Sequence, residues 1–224
     1  MLAGAGLGSV IAECMLRIGF QNITVIDGDK VEQTNLNRQN FIADDIGTPK
    51  VEALYKRLKS INPLANIKVE NIFLTKENVL QYVAGYDVAV NAIDFTSDLP
   101  FIFDEICAQK KIPVLHPYNL GWASALIVLD PTGDKITSIQ DSFKNFELAI
   151  VDHVIKYSKK YFDDEPIWLR NILNQYAAET ESLPPPQLAV GSFLAAASCT
   201  RIACRLVLKE PVSFFPEIYY TNNL

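Results

Sequence analysis

The pentapeptide GAGLG, Gly4–Gly8, constrains the chain more than any other stretch. It follows the apolar run Met1–Ala3 and opens a helical pattern from Leu7 to about Gly19, with Val10, Ile11, Cys14, Met15 and Ile18 on one face. A strand that turns through glycines into a helix is the entry of a nucleotide-binding βα unit. The backbone there comes close to a phosphate, and the helix offers unpaired N–H donors and the positive end of its dipole. The spacing is GxGxG, where the dinucleotide fingerprint is GxGxxG. A tight turn without a ligand would use the same glycines, so the turn alone leaves both readings open. The strand before it is short against the usual ~5–6 residues, and residues upstream of Met1 are therefore expected.

Strand and helix patterns alternate through the first half. Asn22–Asp27 is a β-branched strand, and Pro49 opens a helix that Asn62-Pro63 ends. Ile67–Ile72 is a strand, KENVLQYVAG a short helix, Tyr86–Asp94 a buried strand, Pro100–Gln109 a helix and Ile112–His116 a strand. Such units predict an α/β fold: a doubly wound, Rossmann-like, mostly parallel sheet with helices on both faces. An antiparallel extension is expected next, SALIVLDP and DKITSI pairing as a hairpin around PTGD. Residues 1–135 thus read as a nucleotide-binding domain and 136–186 as a helical insertion ending in the proline connector Pro184–Pro186. Residues 187–224 read as a C-terminal helix and strand that pack back on the sheet.

Composition removes several function classes. With 20 basic against 26 acidic residues, a net charge of −6 argues against nucleic acid. Cys14, Cys107, Cys199 and Cys204 form no CxxC pair, so no zinc is expected, and a reduced cytoplasmic compartment is. The apolar stretch Leu188–Leu208 is interrupted by Arg201 and Arg205 and reads as a buried helix, with no membrane role.

The second strand runs into IDGDKVEQTNLNRQ. Asp27 stands about 20 residues past the glycine turn, where a carboxylate accepts ribose hydroxyls. A NAD-dependent dehydrogenase would explain that much. It has no use for Asp29, Asn35, Asn37, Arg38 and Gln39, followed by Lys50. A triphosphate does, because its outer phosphates need cations and arginine binds them in a fork. Asp94 ends a parallel strand at the same sheet edge, and one carboxylate with phosphate oxygens suits Mg²⁺.

At this point the chain resembles a known family. GAGLGS, IDGDKVEQTNLNRQ, IGTPKVEALYKRLKSINP and VNAIDFTSD match, in order and spacing, the ThiF/MoeB/HesA family and the adenylation domain of ubiquitin-activating enzymes. The likeness covers Leu2–Pro131 well and Leu188–Pro211 loosely. It implies an adenylation domain over residues 1–135, using ATP and Mg²⁺ to activate the C-terminal carboxylate of a ubiquitin-like or sulfur-carrier protein, or of a peptide. By the same resemblance Asp27 binds ribose, while Asn35 and Arg38 hold phosphates. Lys50 contacts the phosphates near the reacting α-phosphorus, and Asp94 holds Mg²⁺. Gly6 and Gly8 lie under the nucleotide, and Asp29 and Gln39 support the loop. Arg38, Lys50 and Asp94 are thus the catalytic set, and a homodimer is expected.

The chain departs from the family pattern in places. Ala3 and Ala5 stand at positions that are often glycine, and the zinc-binding CxxC pairs are missing. No cysteine lies between Cys107 and Cys199, so adenylation without a thioester step is expected. Related dimers reach an arginine from an N-terminal segment into the partner's ATP site; this sequence starts after that point. His116, in HPYNLGWASA, is a candidate substrate contact, Gly121 permits close approach, and Tyr118 and Trp122 fill the core or a dimer interface. The tRNA-modifying dehydratase branch of the superfamily and a catalytically silent binding partner are the alternatives.

Overall fold

The computed structural model describes residues 1–163, 165–178 and 187–222, with the backbone alone for 176–178. Five parallel strands, β1 (Leu2–Ala3), β2 (Asn22–Ile26), β3 (Asn66–Glu70), β4 (Ala89–Asn91) and β5 (Val114–Asn119), are extended by antiparallel β6 (Ser124–Leu129) and β7 (Ile218–Thr221). The order across the sheet is β3-β2-β1-β4-β5-β6-β7. β1 has β2 on one side and β4 on the other, Leu2 standing opposite both Val25 and Val90. Strand order reverses there, and the helices after β1 and β4 leave toward opposite faces. A crevice opens beyond the carboxyl ends of the strands at such a point.

Sheet and helices make two cores, one on each face. β6 shows the division: Ala125, Ile127 and Leu129 belong to one core, Leu126 and Val128 to the other. A strand covered on both sides has no polar face, which is why SALIVL reads as a continuous apolar run. α4 (Leu99–Gln109) and α5 (Phe146–Phe162) cover the first face through Phe101, Phe103, Phe146 and Ile150. α1 (Gly6–Arg17), α2 (Lys50–Ile61) and α7 (Ala189–Val207) cover the second through Ile11, Leu54, Leu58 and Cys199. Each fully buried aliphatic side chain of this kind contributes ~1.5–3 kcal/mol. Short α3 (Val79–Tyr82) packs on α4, and α6 (Ile167–Ala178) on α5.

Two sequence expectations change. Asp134–Ile139 is no strand; Ile136–Ser138 makes a single 3-10 turn with Ile136 buried. Asp130 Oδ1 accepts from Thr132 N and Oγ1, both at 2.7 Å, which folds PTGD into a local turn. β6 takes β5 and β7 as its antiparallel neighbours. The strand read over Tyr86–Asp94 is confined to Ala89–Asn91, and the polar end of that run becomes loop. The connector Pro184–Pro186 lies outside the described residues. α7 meets the length and apolarity of a membrane span, yet its Gly191, Ala195, Cys199, Ile202 and Ala203 face is buried against the domain. Its opposite side leaves Val190 and Phe193 exposed.

Candidate active site

A cleft of about 350 Å³ lies beyond the carboxyl ends of β1, β2 and β4, lined by Gly4, Asp27, Asp29, Phe73, Asp94 and Ser97 among others. Its floor is the glycine turn. Gly4 adopts φ +98°, and a Cβ there would stand 2.3 Å from the Ala92 carbonyl oxygen. Only glycine lets the turn press against the end of β4. The Asp27 carboxylate fixes the turn from the other side, accepting Ala5 N–H at 2.6 Å and Asp29 N–H at 2.7 Å. Gly6 faces the Gln39 amide, which an added Cβ would meet at 3.1 Å, and Gly8 is buried against Leu2.

The polar run folds over this floor. Lys30 bridges to Pro49, and Lys50 N–H donates to the Asp29 carbonyl at 2.8 Å, drawing the start of α2 to the cleft. Lys50 Nζ then pairs with the Asp29 carboxylate at 2.9 Å; the lysine is buried and the aspartate open. Asn35 is buried and caps its own turn, its Oδ1 accepting Glu32 N–H at 3.0 Å. Arg38 donates through Nε to Gln187 Oε1 at 2.7 Å, and through one terminal nitrogen to Thr34 O and Asn37 Oδ1, both at 2.9 Å. Gln39 lies along Gly6 with its Oε1 buried and without a hydrogen-bond partner among the described residues.

Asp94 stands across the cleft. One side of it is open, but protein crowds its carboxyl, and this desolvation pushes the group above the ordinary carboxylate range. Lys50 and Arg38 oppose the shift, while Asp29 and Asp27 add to it. Of the sequence-predicted charges, Asp27, Asp29 and Asp94 line the cleft, Lys50 joins them through its pair with Asp29, and Arg38 reaches Asp94 only through its charge and stands outside the lining. Among the described residues, no three metal-ligating side chains cluster. The donor set fits Mg²⁺ bound by one carboxylate and completed by phosphate oxygens and water.

Sequence reasoning missed the supports. Glu13 is 9% exposed and accepts from Arg17, Arg57 and Asn40, joining α1, α2 and the loop that carries Arg38 and Gln39. Burial alone would raise its carboxyl, but the hydrogen bonds from Arg57, Arg17 and Asn40 outweigh this and hold it below the ordinary range. Phe146, at the start of α5, stacks on Phe95 at 4.4 Å and meets Phe101 edge-on at 5.0 Å, buttressing the residue next to Asp94. Phe73, 65% exposed, covers Gly28, where a Cβ would stand 2.7 Å from the ring. An aromatic after β3 was the available signal for that wall.

His116 is not at the cleft surface. It is 1% exposed, its Nε2 lying 2.8 and 2.9 Å from the two Asp104 oxygens. Asn91 Nδ2 donates to the same carboxylate at 2.9 Å, so the three side chains tie β4, α4 and β5 together. Trp122 is 53% exposed and fills no core, whereas the Tyr118 hydroxyl is buried.

Comparison with known proteins bears on the family and the fold. The model of the ThiF family matches residues 1–207. Escherichia coli tRNA threonylcarbamoyladenosine dehydratase is 34% identical over 142 residues, 62% of this chain and 51% of that protein. The SAMP-activating enzyme E1 of Haloferax volcanii is 32% identical over 134 residues, 59% of this chain and 49% of that one. The chain thus spans about half the length of these curated relatives. Among solved structures, E. coli MccB with AMPCPP and MccA superposes with a TM-score of 0.69 at 20% identity, covering 99% of this chain and 62% of that one. At that identity the likeness concerns the fold.

Proposed function

The chain belongs to the ThiF family, and from that premise we propose that it is an ATP-dependent adenylyltransferase. Its substrate is the C-terminal carboxylate of a small ubiquitin-like or sulfur-carrier protein, or of a peptide. The carboxylate oxygen attacks the α-phosphorus of ATP, a new P–O bond forms, the bond to the β-phosphate bridge breaks, and pyrophosphate leaves. The observation that carries this reading is one cleft beyond the glycine turn lined by Asp27, Asp29 and Asp94, with Lys50 paired to Asp29 and both Lys50 and Arg38 near enough to act on the Asp94 charge. NAD has no terminal phosphates beyond the pyrophosphate that the glycine turn would hold, so it leaves Arg38 and Lys50 without the outer phosphates that a triphosphate offers them.

In this reading Gly4, Gly6 and the first turn of α1 cradle the phosphates, with Gly8 packing the helix beneath them. Asp27, already fixing the turn, accepts the ribose hydroxyls with its remaining lone pairs, and Phe73 covers the base. Asn35 shapes the polar loop through its Oδ1 and turns its amide N–H groups to the phosphates. Lys50 exchanges the Asp29 carboxylate for the α-phosphate oxygens, and Arg38 faces the outer phosphates. Gln39 closes over Gly6. Asp94 would hold Mg²⁺, whose charge would offset that of the pyrophosphate. Alignment and charge neutralisation are the main contributions such a site makes.

The relatives that bear on the substrate are a SAMP-activating enzyme and MccB with MccA. They favour a protein or peptide terminus; that the enzyme acts as a cytoplasmic homodimer is part of the same proposal and rests on the family resemblance. We divide the chain into an adenylation domain (1–135), a helical insertion with its connector (136–186) and a closing C-terminal segment (187–224). One second reading has a specific observation behind it: the 34% identity to a tRNA threonylcarbamoyladenosine dehydratase supports a carboxylate carried on tRNA.

Exchange of radiolabelled pyrophosphate into ATP tests the proposal. Label should enter ATP only when an acceptor with a free C-terminal carboxylate is present, and an amidated acceptor should give none. Arg38→Ala or Lys50→Ala should reduce the rate about 100-fold. Exchange driven by threonylcarbamoylated tRNA and by no peptide or protein would establish the second reading. No exchange with either class would overturn adenylation.

A further inference from the structure

We propose that Gln187 is a positioning residue for Arg38, aiming its guanidinium with a neutral acceptor so that the positive charge remains for a phosphate. The inference rests on the adenylation reading and adds to it a residue 149 positions away in sequence from the arginine it serves.

The argument begins with the fork. Arg38 Nε donates to Gln187 Oε1 at 2.7 Å, and one terminal nitrogen donates to Thr34 O and Asn37 Oδ1 at 2.9 Å. All three acceptors are uncharged amide or peptide oxygens, and Arg38 forms no salt bridge among the described residues. The second terminal nitrogen makes no hydrogen bond there either. A guanidinium held this way has its plane fixed, keeps its full charge and leaves one edge open. A carboxylate at the same place would hold it equally well and cancel the charge that a triphosphate needs.

Gln187 is itself held by a rigid junction. The adjoining Leu188 carbonyl accepts from Asn119 Nδ2 at 2.8 Å, and the same nitrogen donates to Ser192 Oγ at 2.9 Å. Asn119 Oδ1 accepts Gly121 N–H at 2.9 Å. The first turn of α7 rests directly on this bend: a Cβ on Gly191 would stand 2.1 Å from Asn119 Oδ1 and 2.6 Å from Gly121 O. The end of β5 therefore sets the start of α7, that start sets Gln187, and Gln187 sets the edge of Arg38.

Calorimetric titration of the whole chain with ATP–Mg²⁺ and, separately, AMP tests the assignment, because AMP has no outer phosphates for Arg38 to meet. Gln187→Ala should weaken ATP about threefold and Gln187→Glu about tenfold or more, with AMP changed less than about twofold in both. In an Arg38→Ala background, Gln187→Ala should add nothing further, as two residues acting through one contact require. An unmoved ATP-to-AMP ratio in folded Gln187→Glu would overturn the positioning role. Tighter ATP binding by Gln187→Ala would also overturn it, since Gln187 would then be a latch competing with phosphate. Failure of the wild-type chain to bind ATP sinks the adenylation reading together with this one. Wild-type binding with an unmoved Gln187→Glu sinks this one alone.

Discussion

Asp94 is where stability and ligand binding pull in opposite directions. Its carboxyl is pushed up by desolvation, with Asp29 and Asp27 adding to the effect. A raised folded-state pKa contributes stability below the ordinary value and loses it as pH rises through the raised one. Ionised Asp94 therefore burdens the empty protein at neutral pH, and a divalent cation relieves that burden. Asp94→Asn should melt slightly higher than wild type at pH 7 while losing Mg²⁺-dependent ATP affinity; thermal scans with and without ATP–Mg²⁺ check both halves. Wild-type affinity should begin to fall on acidification while still above the ordinary carboxylate range. The glycine turn gives a steric counterpart. Gly4→Ala places a Cβ 2.3 Å from Ala92 O at φ +98°, and should cost about 3 kcal/mol or more in urea unfolding. At this scale Asp27, Asp29, Lys50 and Asp94 were legible because each sits at the end of an element whose direction the sequence reveals. Glu13 and Gln187 were not, since the partners that join them to other elements arrive from 27 to 149 residues away.

Among the elements, the loop that carries Arg38 depends on helices α1 and α2 through one buried carboxylate. Glu13 is held below its ordinary value of 4.5, so its contribution is present above that value and is lost as pH falls through the lowered one. Glu13→Gln should be less stable than wild type at pH 7, and the difference should shrink toward pH 3; urea unfolding across that range measures it. α5 has the matching role for the Asp94 side of the cleft. Phe146→Ala removes a fully buried ring from the Phe95–Phe101 stack and should cost about 3–5 kcal/mol, and it should weaken Mg²⁺-dependent binding in the molecules that remain folded. The helices and parallel strands were legible because apolar period and glycine or proline punctuation are local. The partner of β6 was not: DKITSI has a strand's composition, but Ile136 is drawn into the core and β7 supplies the edge from residues 218–221. A hairpin inferred from one turn has no means of sensing a competitor so distant in sequence.

For the whole molecule, the order β3-β2-β1-β4-β5-β6-β7 explains why groups spread from Gly4 to Gln187 meet at one edge. The switch point at β1, which lies between β2 and β4, collects the loops after those two strands that carry Asp27 and Asp94, and α7 closes over β5 and β6. Nothing in that frame asks for a reactive thiol. Burial pushes the Cys107 and Cys199 thiols well up. A variant with all four cysteines replaced by alanine or serine should retain pyrophosphate exchange within about threefold once folded, since the proposed reaction uses no thioester. The proposed activity does require a nucleoside triphosphate. The most direct measurement is calorimetric titration of the chain with ATP–Mg²⁺ and with NAD⁺, alongside Arg38→Ala and Asp94→Ala. The account predicts ATP binding that is weakened about tenfold or more in both variants, with no NAD⁺ binding. Binding of NAD⁺ without ATP, or ATP binding indifferent to both substitutions, would contradict it.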